Sequence, residues 1–129
     1  MADAAKPVVV LIVDDNRDAA DSLAILIQGE GHEVAVAYDA ESGLELARRV
    51  LPKVIFHDIG LPVVDGYAAA LELRRDPRFA QTILVALTAY DSAPDRDRSR
   101  ACGFDFHMAK PIHFNDVKRI LELTKTSDA

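Results

Sequence analysis

The sequence predicts a doubly wound α/β domain built on a single parallel sheet. Five short apolar stretches alternate with five segments of helical character, and strands separated by helices pair in parallel. Two stretches, Val8–Val13 and Ile83–Leu87, are apolar throughout, as expected of strands buried on both faces. The 129 residues suffice for one hydrophobic core and are too few for two. We therefore expect one domain over residues 8–124, between a disordered tail, 1–7, and a polar tail, 125–129.

The five predicted strands differ in apolar content, and this difference indicates their place in the sheet. They are Val8–Val13, Glu33–Ala37, Val54–Phe56, Ile83–Leu87 and Phe104–Met108. Because Glu33–Ala37 is less strongly apolar than the first and fourth strands, we expect it at an edge.

Apolar side chains recur at helical spacing between these strands. In the first two helices they are Ala19, Ala20, Leu23, Ala24 and Ile27, and then Ala40, Gly43, Leu44 and Ala47. Gly29 and Gly31 are expected to end the first helix. The third helix is predicted over Gly66–Arg75 and ends at Asp76-Pro77, since the residue before proline disfavours helical angles.

The last two helices differ in how well the sequence anchors them. The fourth, near Ser92–Cys102, has many charged and few apolar residues, so we expect it to be loosely held. The fifth, about Asn115–Thr124, presents Val117, Ile120 and Leu121 on one face.

Composition narrows the classes of function. The net charge of −6 argues against generic attraction to nucleic acid. The run Val8–Val13 is too short for a signal sequence or a membrane span. Cys102 is the only cysteine, which excludes an internal disulfide and fits a reducing compartment. We expect a cytoplasmic protein with neither a nucleic-acid nor a membrane partner.

Charged and hydroxyl side chains follow four of the predicted strands. They are Asp14 and Asp15, then Asp58, Thr88 and Lys110. Parallel strands direct their carboxyl ends to one edge of the sheet, where open α/β sheets bind ligands. In the strand order 2-1-3-4-5 the first and third strands are neighbours, so the three carboxylates converge. Such a cluster raises the carboxylate pKa values unless a cation enters, and hard oxygen ligands suit Mg²⁺. With the lysine and the hydroxyl opposite, the pocket suits a phosphoryl group.

Four stretches resemble the receiver domains of response regulators in bacterial two-component systems. They are LIVDDNRDAADSL, HDIGLPVVDGY, ALTAY and GFDFHMAKP, within a resemblance that runs from about Val8 to Thr124. The resemblance implies the flavodoxin-like fold and a signalling module that takes a phosphoryl group onto Asp58. It implies a histidine kinase or histidine phosphotransfer protein as donor. It also implies catalysis of the domain's own phosphorylation and dephosphorylation, without turnover of an external metabolite.

The resemblance also assigns roles to individual residues. Asp15 would bind Mg²⁺ directly, Asp14 through water, and Asp58 and the backbone carbonyl of Gly60 would complete the protein ligands. The phosphoryl oxygens would be held by Thr88, Ala89 and Lys110. Thr88 and His107 would form the switch that changes the partner-binding surface of the fourth helix, fifth strand and fifth helix. Pro111 would follow a cis peptide bond.

Two departures from the family pattern modify these expectations. His107 stands where the family often has tyrosine or phenylalanine, so the readout is expected to differ in strength or to depend on pH. Histidine at this position is similar to the pattern in receivers attached to hybrid histidine kinases. The sequence is compatible both with a free-standing protein and with a receiver that is part of a longer protein. Val63 and Val64 replace the frequent Gly and Met, which predicts altered loop stiffness without loss of activity.

Other interpretations explain fewer of these residues. Taken singly, Asp14 and Asp15 would more often cap a helix than bind a metal. An aspartyl-phosphate hydrolase would usually have an acid at Gly60, and a flavodoxin-like nucleotide binder would have a glycine-rich loop. An interaction module that is never phosphorylated would not need the intact set of Asp14, Asp15, Asp58, Thr88 and Lys110. His57 should face away from the pocket, since adjacent strand residues point to opposite faces.

Overall fold

The computed structural model describes residues 8–60, 65–89 and 93–127. It contains five parallel strands in the order β2-β1-β3-β4-β5, which confirms the predicted flavodoxin-like fold and the edge position of β2. The strands are β1 (Val9–Val13), β2 (Glu33–Ala37), β3 (Val54–Asp58), β4 (Ile83–Thr88) and β5 (Phe106–Ala109). The helices are α1 (Arg17–Gly29), α2 (Ala40–Val50), α3 (Gly66–Arg74), α4 (Ala93–Ala101) and α5 (Phe114–Ser127), with a 3₁₀ turn at Pro77–Phe79.

The sheet separates two apolar layers, because side chains alternate between its faces along each strand. Leu11 and Ile55 pack in one layer with residues of α2 and α3. Ile12 and Phe56 pack in the other with residues of α1 and α5. The predicted face of α5 is buried at all three positions, Val117, Ile120 and Leu121. The predicted face of α1 is buried at Ala20, Leu23, Ala24 and Ile27, whereas Ala19 is exposed.

Several predicted element boundaries differ from the observed ones, among them the end of the fifth helix and the start of the fifth strand. Helix α5 continues to Ser127, three residues past its predicted end at Thr124. No glycine or proline follows Thr124, and backbone hydrogen bonds can therefore continue. Strand β5 begins at Phe106, because the N–H of Phe104 donates to the Ser99 carbonyl at 3.0 Å and closes the end of α4.

Some expectations fall on residues outside the described part of the chain. These are the tail over residues 1–7, the loop positions Val63 and Val64, and the predicted helix start at Ser92. Within the described residues, none of the helices has the length and apolar character needed to cross a bilayer.

Candidate functional site

The carboxyl edge of the sheet brings the predicted acidic residues together. Asp14 and Asp15 follow β1, and Asp58 is the last residue of β3. One carboxylate oxygen from each of the three lies within 4.8 Å of the others. The convergence predicted from strand order is therefore observed.

Neither Asp14 nor Asp15 caps helix α1, because the next residue does so. The side chain of Asn16 accepts a hydrogen bond from the Ala19 N–H at 3.1 Å. Asp14 is buried, and its Oδ1 accepts from the Asn16 N–H at 3.0 Å. Burial raises the pKa of Asp14, and the nearby charge of Asp58 acts in the same direction but is a smaller cause. Asp15 is exposed to solvent.

Lys110 is the cation of this cluster. Its Nζ lies 2.9 Å from Oδ2 of Asp14 and 3.2 Å from Oδ2 of Asp58. Desolvation acts to lower the pKa of Lys110, but the two aspartates outweigh it, and the pKa lies above its ordinary value. The backbone N–H of Lys110 donates to the Thr88 carbonyl at 2.7 Å, which joins the ends of β4 and β5. The Lys110-Pro111 peptide bond is cis, as the resemblance to receiver domains implied.

The loop after β3 orients the Asp58 carboxylate. The N–H of Gly60 donates to Oδ1 of Asp58 at 2.8 Å. Gly66 opens α3 directly behind this loop, where an added Cβ would lie 2.6 Å from the Asp58 carbonyl oxygen. Only glycine fits so near this backbone, so the sequence DG at residues 65–66 holds α3 close to the acidic cluster.

The cavity beside Asp58 has a volume of about 330 Å³. It is lined by Asp58, Ile59, Gly60, Tyr67, Thr88, Ala89, Asp95 and Lys110. A larger cavity of about 540 Å³ lies against β5 and α5, but none of the three aspartates lines it. We place the candidate site at the cavity of about 330 Å³, because Asp58 lines it and the carboxylates of Asp14 and Asp15 lie beside that of Asp58.

Three of these lining residues were not predicted from the sequence: Ile59, which directly follows Asp58, and two residues more distant along the chain, Tyr67 and Asp95. Tyr67 directly follows Gly66, whose backbone lies close to Asp58 and Ile59. Its position beside this glycine was the one sequence feature that could have indicated a place at the cavity. Asp95 lies in the first turn of α4, in a charged segment whose sequence pattern indicates a solvent-exposed surface. Long-range packing, which no local pattern reports, brings both residues to the cavity.

The two histidines near the site occupy different positions. His57 is buried, its Nδ1 lies 2.8 Å from the Asp58 carbonyl oxygen, and it does not line the cavity, as expected for a residue that faces away. Burial lowers the pKa of His57. His107 is half-buried in β5, opposite Ala86 of β4, and its Nδ1 lies 3.1 Å from Oγ of Ser99.

The donor set fits a hard divalent cation. Three carboxylates face one ammonium, so the ionised cluster has two net negative charges. Carboxylate oxygens are ligands that Mg²⁺ prefers, and a divalent cation would balance this charge. The buried carboxylate of Asp14 gives a further reason, since it shares the single ammonium of Lys110 with Asp58 and a cation would offset the remaining charge.

Comparison with known proteins gives a family match over most of the chain. The profile of the response regulator receiver domain matches residues 10–122. A response regulator receiver protein of Anaeromyxobacter is 37% identical over 88% of this chain, which spans 45% of that protein. An uncharacterized 14.6 kDa protein of Leptolyngbya boryana is 33% identical over 88% of this chain and 86% of its own length.

Solved structures show the same architecture. The receiver domain of the sensor histidine kinase PA1611 from Pseudomonas aeruginosa PAO1 superposes with a TM-score of 0.84 and 27% identity. The match covers 94% of this chain and 99% of that domain, whose active-site cleft contains a coordinated magnesium ion.

Proposed function

Since the chain belongs to the response regulator receiver domain family, we propose that Asp58 is the phosphoryl acceptor of this two-component signalling module. The observation that carries the proposal is the position of the Asp58 carboxylate. It borders the cavity, with Nζ of Lys110 at 3.2 Å and the carboxylates of Asp14 and Asp15 beside it.

The proposed reaction is an in-line transfer to a carboxylate oxygen. An Asp58 oxygen attacks the phosphorus of a phosphohistidine, a new O–P bond forms, and the P–N bond to the donor breaks. The donor imidazole leaves with the bonding electron pair. Lys110 offsets the negative charge of the transferred group, and the Thr88 hydroxyl and Ala89 amide hold its other oxygens.

Mg²⁺ is the proposed cofactor, held by Asp14, Asp15, Asp58 and the Gly60 carbonyl. The ion would supply charge neutralisation for the carboxylates and the phosphoryl oxygens together. Support comes from the donor set and from the magnesium in the related PA1611 receiver domain. Asp14 would act through water, whereas Asp15 would bind the ion directly.

The proposed donor is a histidine kinase or a histidine phosphotransfer protein in the cytoplasm. Phosphorylation would draw Thr88 toward the new group and let His107 move, which changes the surface of α4, β5 and α5. The module would catalyse its own phosphorylation and dephosphorylation without turning over an external substrate.

The test is phosphorylation by acetyl phosphate with Mg²⁺, followed by intact-mass measurement. Wild type should gain one phosphate, and Asp58→Asn should gain none. Asp39→Asn is the matched control, because Asp39 caps α2 at the same edge of the sheet and asparagine caps equally well. Phosphate uptake by Asp58→Asn at the wild-type rate would refute the assignment, as would a wild type that gains nothing.

A further inference from the structure

Helix α4 is anchored by a polar side chain. Across residues 94–101, Ser99 is the one buried side chain, and it is 1% exposed. By contrast, α1 and α5 bury rows of apolar residues against the sheet. The attachment of α4 therefore depends on what the Ser99 hydroxyl contacts.

That contact is His107 of β5, whose Nδ1 lies 3.1 Å from the hydroxyl oxygen. A buried hydroxyl without a hydrogen-bond partner is unfavourable. If the imidazole turns away, Ser99 must find another partner or α4 must shift. The position of the ring and the position of the helix are coupled for this reason.

His107 is also connected to the phosphoryl cavity through the β4–β5 ladder. It lies opposite Ala86, and two residues farther along, Thr88 lies opposite Ala109. Thr88 lines the cavity with Asp58. His107 is also one of the residues that line the cavity of about 540 Å³ against β5 and α5.

A second contact of α4 reaches the same cavity. The guanidinium carbon of Arg98 lies 4.1 Å from the ring centroid of Tyr67, a lining residue of the phosphoryl cavity. The described part of α4 thus contacts the switch position through Ser99 and the cavity wall through Arg98.

We propose that Ser99 is a positioning residue for His107, holding the imidazole against α4 while Asp58 is unphosphorylated. Phosphorylation shifts Thr88, the ring leaves Ser99, and α4 moves because its buried hydroxyl has lost that partner. The inference rests on the proposed function of Asp58 and adds a regulatory contact to it.

The test is Ser99→Ala in two backgrounds, wild type and His107→Phe. Removing the contact should favour the conformation that accepts phosphate, because the ring then leaves α4 without losing a hydrogen bond. The rate of Asp58 phosphorylation by acetyl phosphate should rise about two- to tenfold in wild type, the factor expected for one net hydrogen bond. In His107→Phe the same change should have no effect on the rate, since the hydrogen-bond partner of Ser99 is absent.

Imidazole ¹⁵N resonances of His107 give a readout that helix packing alone would not change. They should differ between unphosphorylated and phosphorylated wild type, and unphosphorylated Ser99→Ala should already resemble the phosphorylated form. Asp97→Ala is the control on the exposed side of α4 and should leave both the rate and the resonances unchanged.

An equal acceleration in both backgrounds would overturn the inference, because Ser99 would then act without His107. Unchanged rates and resonances in Ser99→Ala would also overturn it. A wild type that gains no phosphate would refute the proposed function itself, whereas a phosphorylated wild type with no Ser99 effect would refute only the positioning role.

Discussion

Replacing Gly66 by alanine should strain the backbone that holds the acceptor aspartate. An added Cβ would lie 2.5 Å from Cα of Ile59 and 2.6 Å from the carbonyl oxygen of Asp58. Both are backbone atoms, so a rotamer change cannot relieve the contact. Overpacking of this kind costs about 1–3 kcal/mol of unfolding free energy. The backbone at Asp58 and Ile59 must move to relieve it, so the rate of phosphorylation should fall as well.

Urea unfolding followed by circular dichroism measures the first effect, and phosphorylation by acetyl phosphate measures the second. Gly29→Ala is the matched control, because nothing lies within 4 Å of a Cβ added there. Gly29 is the last residue of α1, and alanine there should leave stability unchanged or raise it by up to about 1 kcal/mol. If Gly66→Ala lies within about 0.5 kcal/mol of wild type and is phosphorylated at full rate, the argument from close approach is wrong.

Three further predictions concern charged and titratable residues. Arg74 donates to three backbone carbonyls, so Arg74→Met should lower the urea unfolding free energy by about 2–4 kcal/mol. The exposed control Arg75→Met should change it by less than about 0.5 kcal/mol, and equal losses would contradict the reasoning. Lys110→Met should slow phosphorylation at least tenfold, which corresponds to about 1.4 kcal/mol of activation free energy. The same change should tighten Mg²⁺ binding measured by calorimetry, because the carboxylate cluster becomes more negative. Weaker Mg²⁺ binding would count against that charge argument. The pKa of His57 is lowered by burial, so the unfolded chain takes up the proton first as pH falls below the ordinary value of 6.5. In metal-free wild type, the free energy of unfolding should therefore decrease as the pH falls below 6.5, by up to about 1.4 kcal/mol per pH unit. His57→Leu should lack this component, and identical pH profiles for the two proteins would exclude it.

The fold and the acidic cluster were predictable because both follow from local pattern and strand direction. Continuous apolar runs marked β1 and β4, and the residues after each strand had to meet at one edge. Asp14, Asp15 and Asp58 do meet there. Chain topology thus converts three separate positions in the sequence into one cluster.

Strand ends were less predictable where polar residues belong to the sheet. The apolar run of β3 stops at Phe56, but the strand continues because His57 pairs with Ala86 and Asp58 with Leu87. Strand β4 supplies both pairings, and His57 also pairs with Val13 of β1. Together these pairings outweigh the polar character of the two side chains. Asp58 is consequently held by the sheet and not by a loop.

Contacts between distant residues were the part that sequence patterns missed. Arg74 reaches the Gly103 carbonyl and Asp105 across about thirty residues of chain, at 2.9 and 2.8 Å. Ser99 stands in a charged helix whose pattern indicated only a solvated surface, and its burial becomes visible once β5 lies beside it. Both contacts depend on tertiary packing, which single-residue spacing does not encode.

The most direct test of the central claim is to locate the phosphoryl group chemically. Borohydride reduces an aspartyl phosphate to homoserine, and peptide mass spectrometry then identifies the modified position. After phosphorylation with acetyl phosphate and Mg²⁺, homoserine should be found at position 58 alone. Homoserine at Asp14 or Asp15, or none anywhere in a protein that has gained phosphate, would contradict the account.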